Sequence, residues 1–318
     1  MLTHNLHTLL AQDGTVQDAH GPALPGTTSS ASAILTFKNE YGDARVQVAV
    51  SRLPVPVSPL NTACPDRALH PYSRCTTREH QGATLTLDSS PADESRPLAA
   101  QRRTAALTFP DGRQVVLSES ALGQNTGAAA PRSPLPLTLQ KLTEIAGSPT
   151  WRPLLAALPE PPHQQSALQV DQTVPAHRIT GIATRSLPRT MRVADQGGLP
   201  GYGHLTVDDG HGKCLVTVTV QRWKPRDATI RRVFERAEQL PDGTRIMTSR
   251  STAAHGGRGA VEWRVDTLSR DGLRVVVNEL NTSAYRLPAT RTTPALTVRQ
   301  LTDIARSGSW RTATDAPS

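Results

Sequence analysis

Apolar and polar residues alternate in two stretches of the chain, and each stretch runs on into a helical pattern. Residues 45–52 (RVQVAVSR) put Val46, Val48 and Val50 on one side, the period-two signature of a half-buried strand. Residues 83–87 (ATLTL) resume the alternation. Residues 103–109 and 114–118 flank Pro110-Asp111-Gly112-Arg113, which predicts a hairpin with Gly112 at positive φ. Leu139, Leu142, Ile145 and Ala146 then follow three–four spacing behind Thr138, an N-cap residue, and ahead of Gly147 and Pro149, which stop a helix.

The second stretch repeats this logic. Residues 204–207 and 213–222 flank an Asp-Asp-Gly-His-Gly turn. Residues 261–268 and 273–279 flank Asp271-Gly272, and Val298, Leu301, Ile304 and Ala305 make a helical stripe behind Thr297. Residues 228–240 place Ile230, Val233, Phe234 and Ala237 at helical spacing, predicting an amphipathic helix that the first stretch lacks. The wording is shared as well. LTLQKLTEIAGSPTW (137–151) matches LTVRQLTDIARSGSW (296–310), and residues 34–53 match 205–223. Three blocks in one order, half a chain apart, mean a duplicated domain and not a short-period solenoid.

The predicted class is α+β: two tandem copies of an antiparallel β-sheet domain of about five strands, each with a C-terminal helix packed on the sheet. The expected boundaries are a flexible leader (1–30), a first repeat domain (31–158), a Pro-rich linker (159–173), a second repeat domain (174–311) and a disordered tail (312–318). With 318 residues and only 3% aromatics, the two cores must be built from Val, Leu, Ile and Ala. The net charge of +8 is carried by scattered Arg. That pattern gives no nucleic-acid-binding face, and a cytosolic nucleic-acid binder ranks third among the readings. No apolar run approaches a membrane span, and residues 1–14 lack the features of a secretion signal.

Cys64 and Cys75 lie in a Pro-rich segment and admit three readings: a disulfide, two free thiols, or a metal pair at unusual spacing. Cys214 alternates with Val216 and Val218 and reads as a buried small hydrophobe. Asp208, Asp209, His211 and Cys214 resemble a metal cluster, but turns collect Asp and Gly for conformational reasons, so neither a metal nor a cofactor is predicted. His255-Gly256-Gly257-Arg258-Gly259 lacks the Lys-Ser/Thr of a phosphate loop and reads as a mobile loop.

No catalytic constellation is predicted. Glu119 and Glu279 match across the copies, and a solvated strand edge or a bond to the following loop is the plain explanation. With His204 and His211 they are the acid–base residues that a hydrolase acting on envelope material at an interdomain cleft would need. Trp151 and Trp310 match as packing anchors. Trp263, with His255 and Arg258 of the glycine-rich loop, is the candidate binding surface.

GAVEWRVDTLSRDGLRVVVNELNTSA, PALTVRQLTDIARSGSW, ACPDRALHPYSRC, TFPDGRQVV and LPLTLQKLTEIAGSPTW resemble a Streptomyces-type group of actinobacterial, membrane-anchored proteins with a duplicated exported α+β domain. The resemblance spans most of residues 31–311. It implies export, a Cys64–Cys75 disulfide, and membrane association through an anchor that this sequence lacks. It carries over no catalytic residue. The expected role is a non-enzymatic extracytoplasmic recognition or sensing module whose partner is an envelope ligand or protein.

Overall fold

A computed structural model describes residues 1–20, 29–94, 96–97, 100–122, 135–161, 174–225 and 227–315. The chain divides into two units: Met1–Pro65 with Tyr72–Gln165, and Asp66–Pro71 with Ser166–Ser318.

The first unit runs α1 (Leu2–Leu10), β1 (Thr15–His20), β2 (Ser30–Asn39), β3 (Gly42–Arg52), β4 (Arg74–His80), β5 (Ala83–Pro91), β6 (Gln101–Thr108), β7 (Arg113–Ala121), α2 (Leu139–Ala146) and α3 (Arg152–Ala157). Its seven strands form one antiparallel sheet in the order β1-β2-β3-β7-β6-β5-β4. Ala33, Val48, Leu117, Ala105 and Leu87 stand in one cross-strand row. With the buried stripe Leu142, Ile145 and Ala146 of α2 they belong to a single hydrophobic cluster, which defines the inner face of the sheet.

The second unit runs α4 (Ala176–Ser186), β8 (Arg192–Leu199), β9 (Tyr202–Asp208), β10 (Lys213–Arg222), α5 (Ala228–Val233), β11 (Glu238–Gln239), β12 (Arg245–Thr252), β13 (Val261–Leu268), β14 (Leu273–Leu280), α6 (Val298–Ala305) and α7 (Ser309–Asp315). Its sheet order, β8-β9-β10-β14-β13-β12-β11, is that of the first unit element for element. Its inner face carries Leu205, Val216, Val218, Val265 and Val277, clustered with Ile179 of α4 and Leu301 and Ile304 of α6.

Matching residues perform matching local work. Gly112 (φ 83) and Gly272 (φ 86) turn the last hairpin of each unit. Each accepts a hydrogen bond through its carbonyl oxygen, from the N–H of Leu53 and of Trp223 respectively. A Cβ would lie 2.3 Å from the Leu53 carbonyl oxygen at Gly112, and 2.0 Å from that of Trp223 at Gly272, so no side chain fits either place. Thr138 and Thr297 cap the repeated helix through their hydroxyls, and Gln300 completes a capping box. The Trp151 and Trp310 indoles, about 1% exposed, each donate at 2.7 Å to a carbonyl near the end of that helix, Ile145 and Ile304.

Three expectations need correction. Residues 1–20 are not a flexible leader. Leu2, Leu6 and Leu10 recur every fourth residue, all are buried in the first hydrophobic cluster, and β1 pairs with β2. This α1–β1 pair is the counterpart of α4–β8, so each copy starts earlier than its strand pattern shows and each sheet has seven strands instead of five. Residues 312–315 are the end of α7, where burial of Trp310 and Ala313 makes helix pay. The helix predicted over 228–240 stops at Val233, which is half exposed. Phe234 is buried with Ile230 and Leu268, and Arg245 donates to its carbonyl oxygen, so the chain leaves helical geometry there. Residues 162–173 of the predicted linker, and 21–28 and 316–318 of the predicted leader and tail, lie outside the described residues.

Candidate functional site

The matched glutamates are structural. Glu119 on β7 and Glu279 on β14 are fully buried on the inner faces of their sheets. Glu119 Oε1 accepts the N–H of Leu137 at 2.7 Å. Glu279 accepts those of Ala295 and Leu296 at 2.9 and 3.0 Å. Leu137 and Leu296 each directly precede the N-cap of the repeated helix, so the carboxyl fixes where the chain enters it. Burial pushes each carboxyl up to about 7, against the pull of these N–H groups and, at Glu119, of Arg103. Beside Glu279, burial pushes the Cys214 thiol up to about 12, with the carboxylate adding to the shift.

His204 is 2% exposed and lies on the other face of the second sheet. It pairs in register with Thr217, whereas Glu279 pairs with Val216, and side chains alternate between faces. His204 and Glu279 are therefore separated by the sheet. His211 is exposed in the β9–β10 turn. There Asp208 and Asp209 accept the backbone N–H groups of Gly210 and His211, and Arg291 holds Asp209 at 2.7 Å and keeps its carboxyl below the ordinary range. Among the described residues no three His, Cys, Asp or Glu side chains are placed to hold a metal ion.

The residues that do converge lie on the outer face of the second sheet, around His204. Cys64 and Cys75 form a disulfide. Asp66–Pro71, between them in sequence, belongs to the second unit. Asp66 Oδ2 meets His204 Nε2 at 2.8 Å. Ala68 accepts the N–H of Tyr285 through its carbonyl oxygen and packs among Leu215, Ala253, Ala260 and Leu280. Leu69 accepts a bond from Arg286 in the same way. Burial raises the Asp66 carboxyl, but His204 and the N–H groups of Ala68 and Leu69 outweigh it and hold Asp66 below its ordinary range. With Asp66 as a carboxylate, the bond places the shared proton on His204 Nε2. Gly197 pairs with His204 across the strands, and a Cβ there would come within 2.7 Å of Nε2, so glycine keeps room for the pair.

His204, Thr217 and Asn278 continue in register across β9, β10 and β14, and Asn278 donates to Thr217 at 3.2 Å. The Tyr202 ring lies 6.4 Å from that of His204, and Tyr285 faces Tyr202 and Thr217. His204 Nδ1 and Asn278 Oδ1 are buried without a hydrogen-bond partner among the described residues, and the Tyr202 hydroxyl beside them has only Tyr285 near it. This set has the means to order hydroxyl or water donors. The reading of the sequence singled out only His204 of it. The available signal was Tyr202, His204 and Thr206 alternating with Leu205 and Val207, a polar outer face on a strand that is also buried.

The glycine-rich loop is tied to the segment that follows β14 by backbone bonds. His255 and Arg258 accept backbone bonds from Arg286 and Ala289, and Gly257 donates to Leu287. His255 and Arg258 are exposed, and the His255 ring stands edge-on to Tyr285. Trp263 lies elsewhere. It packs on the inner-face cluster with the Arg250 guanidinium 4.6 Å above its ring, so it does not share a surface with His255.

Asp66→Ala should leave the His204 imidazole buried and unpaired, costing about 1–3 kcal/mol, and loosen the segment locally. Limited trypsin digestion checks this at Arg67, which is exposed: the variant is cut there faster than the parent, while equal rates would show that the pair does not hold the segment. Among the described residues no helix is long and apolar enough to cross a membrane. No family model, curated protein or solved structure matches the chain.

Proposed function

We propose that this chain is a non-enzymatic, extracytoplasmic recognition module of the cell envelope, of the actinobacterial kind its sequence resembles, in which each sheet domain carries its C-terminal helix on the inner face. The observation that carries the reading is the Cys64–Cys75 disulfide, together with the bonds that fix the segment it encloses. Disulfides persist in oxidising compartments. The Asp66–Pro71 segment of the second unit, held by the partly buried His204–Asp66 bond, is a pre-organised surface, which lowers the entropy cost of binding. The acid–base candidates support the same reading through their observed work: both glutamates hold backbone N–H groups, and His204 holds Asp66.

The test is co-sedimentation of the purified full chain with isolated cell-envelope material, run beside lipid vesicles and duplex DNA. Envelope binding that is lost after reduction of the disulfide is the expected result. Binding to DNA alone, falling steeply with salt, would overturn the reading in favour of a nucleic-acid binder.

A further inference from the structure

The first unit has an open groove of about 730 Å³ over the β4–β5 end of its inner face, within the range of small-molecule sites. One wall is β4, the edge strand of the sheet. Arg78 and His80 stand on it opposite Leu85 and Ala83, both buried core residues. Two positions that face the core side of the sheet are thus occupied by cationic or titratable groups, about 7 Å apart along the strand. Among the described residues neither side chain has an ion-pair or hydrogen-bond partner. The other wall is α2, where Gln140 donates to Glu144, and Lys141 is already held by Asp13 at 2.7 Å. The partly buried Leu9 and Leu87 supply apolar floor.

We propose that this groove binds an acidic oligosaccharide whose charge is a carboxylate. Arg78 takes the carboxylate in a two-pronged bond, as guanidinium geometry favours, and His80 supplies a further polar contact. The wall amides of Gln81 and Gln140 meet sugar hydroxyls, and Leu9 and Leu87 meet the apolar faces of the rings. Glu144 on the facing wall disfavours more densely charged anions such as a phosphate chain. The second copy has no such wall, because the counterpart of β4 there is the two-residue strand β11. The proposal rests on the envelope reading only for the source of the glycan.

Isothermal titration of the full chain with tri-galacturonic acid tests it, with maltotriose and tripolyphosphate as comparison ligands. Arg78 is exposed, so Arg78→Glu should leave the fold and its melting curve unchanged. The expected result is saccharide binding that Arg78→Glu weakens at least tenfold, with maltotriose and tripolyphosphate both weaker than tri-galacturonate by a similar factor. Equal binding by the variant, equal binding of maltotriose, tighter binding of tripolyphosphate, or no binding of tri-galacturonate at millimolar concentration would each overturn the proposal. Envelope co-sedimentation of Arg78→Glu separates the two claims: if it persists while tri-galacturonate fails to bind the parent, the groove proposal falls and the envelope reading stands.

Discussion

Trp310→Ala should destabilise the second unit by about 3–5 kcal/mol, the usual cost of emptying a large aromatic site in a core. Trp310 is 1% exposed, belongs to the hydrophobic cluster shared by α6 and the sheet, and donates to the Ile304 carbonyl oxygen at 2.7 Å. Trp310→Phe separates these contributions. It keeps most of the volume but leaves that carbonyl without the indole donor, for a further cost of about 1 kcal/mol beyond repacking. Trp151→Ala should act equally on the first unit, since its indole makes the same bond to Ile145. Urea denaturation of the full chain reads both effects. A loss below about 1 kcal/mol for Trp310→Ala would show that the repeated tryptophan is not the anchor the geometry describes.

The second large effect is a dependence of stability on pH in the direction opposite to ordinary acid denaturation. In the fold, burial pushes Glu119 and Glu279 up to about 7 from an ordinary 4.5. Between those values the folded state keeps protons that the unfolded chain releases. Stability from this source is fully present below about 4.5 and is lost as pH rises towards 7. At about 1.4 kcal/mol per pH unit this amounts to about 3 kcal/mol per glutamate as an upper figure. Asp66, Asp209, Asp242 and Asp271 are all held below their ordinary range and act oppositely, losing their contribution only at more acidic pH. The window between pH 5 and 7 therefore belongs to the two glutamates. Glu119→Gln/Glu279→Gln keeps an amide oxygen for the backbone N–H groups and removes the ionisation. Its stability should be nearly flat across that window and should equal or exceed the parent at pH 8, as followed by urea unfolding at a series of pH values. Parallel curves for the parent and the double variant would refute the assignment.

The duplication was legible in the sequence because its local rules are strict. The Asp-Gly turns, Thr caps and helix stripes admit few alternatives, and they recur in order. The α1–β1 and α4–β8 pairs were harder to see. Leu2, Leu6 and Leu10 carry helical spacing, but β8 (RVADQGGL) is mostly polar because it is an edge strand, and no period-two pattern marks it. The amphipathic pattern over 228–240 misled for the converse reason: Ile230 and Phe234 are buried as predicted, but burial there comes from a turn against Leu268 and Met247 rather than from a continuing helix. Sites were less legible still. The matched glutamates are visible as a pair, yet their partners are backbone N–H groups that no side-chain pattern records. Asp66 is 138 residues from His204 in sequence, and nothing local predicts that they meet.

The central claim is that the chain works in an oxidising extracytoplasmic compartment, and a thiol count on protein recovered from its host tests it most directly. Cell fractions are separated into cytosol, envelope and medium, with thiols alkylated at the moment of lysis. The account predicts chain in the envelope or the medium with Cys64 and Cys75 oxidised and one thiol, Cys214, reactive only after denaturation because it is buried. Three reduced cysteines on chain confined to the cytosol would contradict it.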